Sequence, residues 1–275
     1  MGEPGHMRLE GKVALISGGG TGIGAATARL FSREGASVVV TGRRPGPIEA
    51  VAAEIGGAAV RGDSSDPAHA AEAVDAAIRT FGGLDIVIAN AGIGLGGSAA
   101  EVTDEQWTTT IDVNLTGPFF LIRAALPPLI ERGQGSVVVV SSVSAIVSDN
   151  DSAAYVTSKA GLLGLVHSVA VDYGPLGIRA NAVLPGWIRT PMADESMQEL
   201  AVRDGLSLEE AYLTATADAP LRRAGTPEEI AACCSFLASD ESSFVTGASL
   251  VADGGATVVD VAGIAWDPRR WESAP

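Results

Sequence analysis

Tyr155 and Lys159 stand four residues apart in the segment AYVTSKAGLLGL, and Ser142 precedes the tyrosine by thirteen. In a helix, that spacing puts phenol and ammonium on one face, a turn apart. A phenol with an ordinary pKa of about 10 is a weak acid and a scarce base at neutral pH. A cation beside it stabilises phenolate and draws the pKa towards the working range. Such a pair suits the movement of a proton on or off an alcohol or carbonyl oxygen while a hydride moves elsewhere. Two residues sharing a helix face are commonplace, so the weight of the pair depends on the elements that position it.

Those elements alternate. Short apolar, β-branched runs at residues 12–17, 37–41, 58–61, 84–90, 135–142, 178–184 and 248–252 read as strands. Helical apolar spacing fills residues 22–34, 47–55, 67–81, 104–132, 153–173 and 226–239 between them. The helix at 67 has Pro67 in its first turn, and the one at 226 opens on a Thr226 cap followed by proline. Strands alternating with helices predict an α/β fold: a parallel sheet of about seven strands covered on both faces. No linker or internal repeat interrupts the pattern, so a single domain is expected over residues 9–255. Residues 1–8 are set aside as a tail or expression remnant. Residues 186–220 break the alternation with one helix at 208–217, capped by Ser207 and Glu210. They follow a strand's carboxyl end, so a lid over a ligand is expected there. The extension at 256–275 carries Trp266 and Trp271, which could dock on the domain or on a neighbouring subunit.

Composition excludes several classes. The chain has 275 residues, 47% of them hydrophobic, with 34 glycines and a formal net charge of −15. That charge argues against a nucleic-acid binder, which needs clustered Lys and Arg. Cys233 and Cys234 are adjacent and cannot form a structural bridge; they read as small core residues in a reducing compartment. His6, His69 and His167 have no metal-ligand spacing, so no metal site is expected. The N-terminus lacks a signal-peptide pattern and no stretch reads as a bilayer span, giving the expectation of a cytoplasmic protein with no membrane partner.

After the first strand comes SGGGTGIG, from Ser17 to Gly24. Gly18, Gly22 and Gly24 fall where a strand must turn tightly into a helix with its backbone against a ligand. A helix N-terminus there offers free N–H groups and a positive dipole to a pyrophosphate. The spacing is G-x3-G-x-G, and its place between strand and helix makes it credible.

Joined to the Tyr/Lys pair, this turn resembles that of the short-chain dehydrogenase/reductase family, and the resemblance runs from about Leu9 to Gly255. Further pieces match in order: Asp63 in RGDSSD, the NAG of Asn90, Ala91 and Gly92, Asn114 in DVNLTG, Ser142, Tyr155-x3-Lys159, and PGWIRT at 185–190. The resemblance implies a Rossmann-like, doubly wound sheet and a nicotinamide dinucleotide cofactor. By it, Gly18, Thr21, Gly22, Ile23 and Gly24 take the pyrophosphate side, and Asp63 and Ser64 face adenine. Asn90, Ala91 and Gly92 line the cofactor strand end; Pro185, Gly186, Ile188 and Thr190 form the nicotinamide-side loop. It also implies that Lys159 holds the nicotinamide ribose, and that Asn114 keeps a helix open so that water links Lys159 to solvent. Departures exist: Ser64 stands where the family more often has an apolar residue.

The second strand ends VVVTGRRP, with Gly42 where an NAD-preferring member would place a carboxylate. Arg43 and Arg44 follow, and guanidinium suits a 2′-phosphate, so NADP(H) is expected over NAD(H); alternatively Arg43 stacks on adenine and Arg44 is solvated. In the expected mechanism Tyr155 exchanges a proton with the substrate oxygen. Lys159 lowers the phenol's pKa, and Ser142 gives that oxygen a second hydrogen bond. Ser141 and Ser144 are competing hydroxyls; only the offset to Tyr155 selects Ser142.

Gly94, Leu95, Ser144, Ile146, Trp187, Met192 and Met197 are expected at a mostly apolar substrate pocket. SDNDS at 148–152 is an acidic stretch that could reach the pocket, although it reads first as a solvated loop. The expected reaction interconverts a small-molecule secondary alcohol and a ketone. A steroid, a cyclic ketone and a β-ketoacyl thioester all remain compatible. The competing class is a non-catalytic dinucleotide sensor, which would show a damaged Ser/Tyr/Lys set. Family resemblance also implies a homo-oligomer, tetramer or dimer.

Overall fold

The computed structural model describes residues 7–266. Seven strands form one sheet: β1 (Val13–Ser17), β2 (Ser37–Gly42), β3 (Ala58–Arg61), β4 (Ile86–Ala89), β5 (Gly135–Val140), β6 (Ile178–Pro185) and β7 (Ser249–Ala252). Their order is β3-β2-β1-β4-β5-β6-β7, and every pairing is parallel. The order reverses between β1 and β4, which opens a crevice at the carboxyl ends of those two strands. Every residue of β1 and β4 is buried, as strands covered on both faces require.

The helices are α1 (Gly22–Arg33), α2 (Pro45–Ile55), α3 (Pro67–Phe81), α4 (Asp104–Ile111), α5 (Gly117–Arg132), α6 (Ala153–Tyr173), α7 (Pro191–Asp204), α8 (Leu208–Ala215) and α9 (Pro227–Ala238). One face of the sheet packs on α3, α5 and α6 through Val74, Ala77, Leu121, Ile122, Leu129, Leu162 and Val166. The other packs on α1, α2 and α9 through Ala28, Phe31, Ile48, Val51, Ile230 and Leu237. Each valine, leucine, isoleucine or phenylalanine among them contributes roughly 1.5–3 kcal/mol on leaving water, more than any surface ion pair here can supply. The fold is a single-domain, doubly wound Rossmann-like sheet.

Between α4 and α5 the backbone widens into a π turn, Asp112–Thr116, that keeps the two helices continuous. The expected helix over 104–132 is therefore present but carries a bulge. Pro127 and Pro128 are accommodated inside α5.

Two expectations need correction. Helices Asp104–Arg132 and Ala153–Leu176 are long and apolar enough, by length and composition, to cross a membrane. Both instead press an apolar face on the sheet. Residues 186–220 hold two helices where one was expected. The missed one, α7, opens on Thr190, whose hydroxyl accepts from the Ala193 N–H at 3.2 Å, with Pro191 in its first turn. That Thr-Pro start is the signal used correctly at Thr226, where the hydroxyl caps Glu229 N–H. Helices α7 and α8 share a small core of Ala193, Met197, Ala201, Ala211, Tyr212 and Ala224. The extension is described as far as Trp266, the exposed last residue of a short 3-10 segment; Trp271 lies outside the described residues.

Candidate active site

Three chain segments converge at the crevice. The glycine turn leaves β1 with Gly18 at φ +65° and Gly22 at φ +52°, conformations that L side chains rarely adopt. A Cβ on Gly24 would collide with the Gly18 carbonyl oxygen, so the turn closes only because Gly24 has none. Asn90, just beyond β4, fastens it: Nδ2 donates to Ser17 O at 3.0 Å and Gly18 O at 3.2 Å. The Ser17 hydroxyl accepts from the N–H groups of Asn90 and Ala91. From the third side, a Cβ on Gly22 would lie 3.1 Å from Thr190 Cγ2, so the loop after β6 closes on the turn.

The start of α1 is open. Thr21 is its N-cap residue but makes no side-chain cap, whereas Thr103, Thr190, Ser207 and Thr226 all cap their helices. The first N–H groups of α1 therefore keep their hydrogen-bonding capacity and dipole for an anionic ligand. Ile23 packs against the core beneath, and Thr27 Oγ1 donates to its carbonyl. Gly42 ends β2 beside Ile48, with Arg43 and Arg44 exposed beyond it. Asp63 Oδ1 accepts from the Ser65 N–H at 3.0 Å and hydroxyl at 2.8 Å. The Ser65 N–H and hydroxyl and the nearby Arg43 charge hold the Asp63 carboxyl below its usual range, against the opposing effect of burial. Ser64 packs its carbonyl on Gly117 of α5. A turn open to phosphate, two guanidinium groups at the end of β2 and a glycine-lined floor together fit a dinucleotide.

The chemistry lies across the crevice, where α6 presents Tyr155 and Lys159. Three serines near the end of β5 have separate partners. Ser141 donates to the Lys159 carbonyl at 2.9 Å, and Ser144 to Asp149 Oδ2 at 3.4 Å. The Ser142 Oγ accepts from the Ser144 N–H at 3.1 Å, and the Ser142 side chain acts on the Tyr155 phenol to favour phenolate. The serine singled out by its offset is the one at the tyrosine.

Lys159 is 4% exposed, and its Nζ donates to the Val140 carbonyl at 3.2 Å. Nζ lies 5.5 Å from the Tyr155 ring centre. Burial pushes the ammonium down to about 8. Tyr155 departs from expectation: burial raises its pKa, the Ser142 hydrogen bond opposes this, and the Asp149 carboxylate adds to the rise. Desolvation penalises phenolate more than its neighbours favour it here, so a lowered phenol is not what the protein alone produces.

Asn114 sits in the π turn, fully buried. Its Oδ1 accepts from the Ile93 N–H at 2.8 Å, and Nδ2 donates to Ile93 O at 2.9 Å and Ser158 Oγ at 3.2 Å. A Cβ on Gly92 would meet Asn114 Oδ1 at 3.3 Å and Lys159 Nζ at 3.5 Å, so both polar groups border that glycine. The widened helix and the loop after β4 are thus pinned to each other beside the ammonium.

Among the expected pocket residues, Ile146, Trp187 and Met192 are exposed apolar side chains around the crevice, and Met192 Sδ faces Gly94. Pro185 ends β6, Gly186 packs on Asp253, and Ile188 is buried against Gly225. Met197 differs from expectation: it is 2% exposed and fills the core shared by α7 and α8. Tyr212 in that core donates to Asp194 at 2.8 Å, while Arg189 stacks 4.4 Å from its ring centre and pairs with Glu209. Sequence reasoning did not single out Asp149, although it allowed that the acidic stretch at 148–152 could reach the pocket. Its segment read as a solvated loop, and no spacing rule links it to Ser144.

A family model described as "Enoyl-(Acyl carrier protein) reductase" matches residues 18–257. The chain is 44% identical to "Protein MoaE" of Klebsiella aerogenes over 93% of this chain and 99% of that protein. It is 40% identical to a 3-alpha-(or 20-beta)-hydroxysteroid dehydrogenase of Mycobacterium bovis, covering 94% of this chain and 92% of that one. The crystal structure of levodione reductase superposes with a TM-score of 0.88 at 33% identity, covering 92% of this chain and all (100%) of that one. With the glycine turn, the serine–tyrosine contact and the strand order in the places described, the chain belongs to the short-chain dehydrogenase/reductase family of oxidoreductases.

Proposed function

We propose that this protein interconverts a secondary alcohol and a ketone with a nicotinamide dinucleotide, Tyr155 acting as general acid and base. The observation that carries the proposal is Lys159 Nζ 5.5 Å from the centre of the Tyr155 ring, with the Ser142 side chain acting on the phenol to favour its ionised form. The glycine turn and the loop 185–190 would hold the dinucleotide, which would supply hydride exchange. Tyr155 gives its proton to the carbonyl oxygen in reduction and takes the alcohol's proton in oxidation. Ser142 donates to the same oxygen and stabilises the charge that develops there. Lys159, a cation below about 8, favours phenolate and would bond the ribose of a bound dinucleotide. Asn114 holds the Gly92–Ile93 loop beside that ammonium.

NADP(H) is the preferred cofactor in this proposal. Arg43 and Arg44 follow Gly42 at the tip of β2, where no carboxylate stands to hold a ribose hydroxyl. Residues 186–220 act as the lid. Helices α7 and α8 have a core of their own and can shift as a unit over the crevice. The protein assembles with copies of itself, as a dimer or tetramer. Among the described residues β7 leaves one edge of the sheet unpaired, and Phe244 stands fully exposed.

A panel of ketones and alcohols with NADPH, NADH and their oxidised forms, followed at the nicotinamide absorbance, tests the activity. Tyr155→Phe should lower turnover at least about 100-fold with dinucleotide affinity nearly unchanged. Unchanged turnover would refute the role of the phenol.

A further inference from the structure

One carboxylate stands beside the reacting groups. Asp149 Oδ2 accepts from the Ser144 hydroxyl at 3.4 Å, and the Ser144 N–H in turn bonds Ser142 Oγ at 3.1 Å. Two hydrogen bonds therefore separate the carboxylate from the oxygen that touches the Tyr155 phenol. Its charge is felt there, since Asp149 adds to the rise in the phenol's pKa. The loop that carries it is tied down. Gly97 N–H donates to Asp151 O at 2.6 Å, Ala153 N–H to Gly97 O at 3.2 Å, and the Ser152 hydroxyl to Asp149 O at 2.8 Å.

Among the described residues this charge makes no ion pair. Ile146, Trp187 and Met192, exposed around the crevice, are apolar. Arg189 on the far loop is engaged by Glu209 at 2.7 Å and stacks on Tyr212. Lys159 is buried and donates to Val140 O. A substrate whose oxygen sits at Tyr155 and Ser142 thus places its adjoining carbon near an acceptor of one sign, amid apolar walls. A hydrogen-bond donor on that carbon is satisfied there, a hydrocarbon gains nothing, and an anion is repelled.

We propose that Asp149 selects the substrate, directing the enzyme to alcohols and ketones that carry an ammonium or hydroxyl group on the carbon next to the reacting one. The inference rests on the alcohol–ketone activity proposed above. In oxidation the carbinol carbon loses hydride to the oxidised dinucleotide and its hydroxyl loses a proton to Tyr155. The vicinal donor remains intact, bonded to Asp149.

Four alcohols on one scaffold test it: 2-amino-1-phenylethanol, 1-phenylethane-1,2-diol, 1-phenylpropan-1-ol and 3-hydroxy-3-phenylpropanoate. They differ only in the group beside the carbinol methylene, and the first two separate ammonium from hydroxyl. The wild-type kcat/KM should be at least tenfold higher for one or both of the first two than for the last two. Asp149→Asn keeps an acceptor for Ser144 and removes the charge. It should cut the ratio of the amino alcohol to 1-phenylpropan-1-ol at least tenfold and narrow the gap to the carboxylate. Wild-type preference for 1-phenylpropan-1-ol, or an equal loss on all four in Asp149→Asn, overturns the role of Asp149 and leaves the dehydrogenase activity standing. No oxidation of any of the four, nor reduction of the matching ketones, by protein that binds dinucleotide overturns both.

Discussion

Nζ of Lys159 lies 5.5 Å from the centre of the Tyr155 ring while donating to the Val140 carbonyl at 3.2 Å. The ammonium is thereby fixed under the phenol in a place with almost no water, and burial brings its pKa down to about 8. Its charge is then lost within a pH range where the phenol, raised by burial, still holds its proton. Carbonyl reduction needs both protons in place. The kcat/KM for reduction should be level below about pH 7 and fall as pH rises through about 8. Lys159→Arg keeps a cation throughout, since guanidinium does not titrate in this range. Its rate should be lower, with the alkaline fall moved upward or gone. A fall at the same pH in both proteins would show that another group titrates.

Asn114 uses its whole amide to hold Ile93, accepting from its N–H and donating to its carbonyl, and it bonds Ser158 as well. Asn114→Ala leaves those backbone groups without partners in a buried place, at about 1–3 kcal/mol each. Urea unfolding should show a loss of about 2–4 kcal/mol. Asn114→Asp keeps the acceptor and loses the donor, so it should fall between. A change of less than about 0.5 kcal/mol in Asn114→Ala would show that the clamp is dispensable.

These contacts mark where the sequence stopped being legible. Local signals sufficed for the sheet, because buried β-branched runs and capped helices repeat. They sufficed to set Tyr155 and Lys159 on one helix face, because a helix turn fixes that spacing, whereas Ser142 was singled out only by the family offset to Tyr155. The π turn at Asn114 was not readable from periodicity, since a widened turn changes hydrogen-bond partners without changing the apolar period; only the family resemblance implied a helix held open there. Met197 has the composition of a pocket residue, yet its helix turns it into the core beside Tyr212. Asp149 reaches Ser144 only through a bend held by Gly97, which no periodicity records. The phenol's direction of shift also escaped, because desolvation depends on burial and sequence spacing shows only charges.

Arg43 and Arg44 extend from the end of β2, and the Arg43 charge is felt at Asp63. A 2′-phosphate there would gain charge-assisted hydrogen bonds that a ribose hydroxyl cannot match. Arg43→Ala should raise the Kd for NADPH at least tenfold and change that for NADH by less than about threefold, measured by nicotinamide fluorescence. An equal loss for both would assign Arg43 to adenine instead.

His69 is buried under the loop that carries Asp63: among the described residues its Nδ1 has no hydrogen-bond partner, and a Cβ on Gly62 would collide with its ring. Burial lowers its pKa against the opposing pull of Glu72, Asp66 and Asp63. The sign follows from linkage. The unfolded chain takes up a proton at this site near pH 6.5 and the folded chain resists until lower pH, so folding weakens as pH falls below that value. Above about pH 7 the site carries no penalty. Between pH 7.5 and 5.5 the wild-type protein should lose up to about 1 kcal/mol more than His69→Gln in parallel urea titrations. Equal losses in the two proteins would mean that the imidazole is protonated as readily when folded as when unfolded.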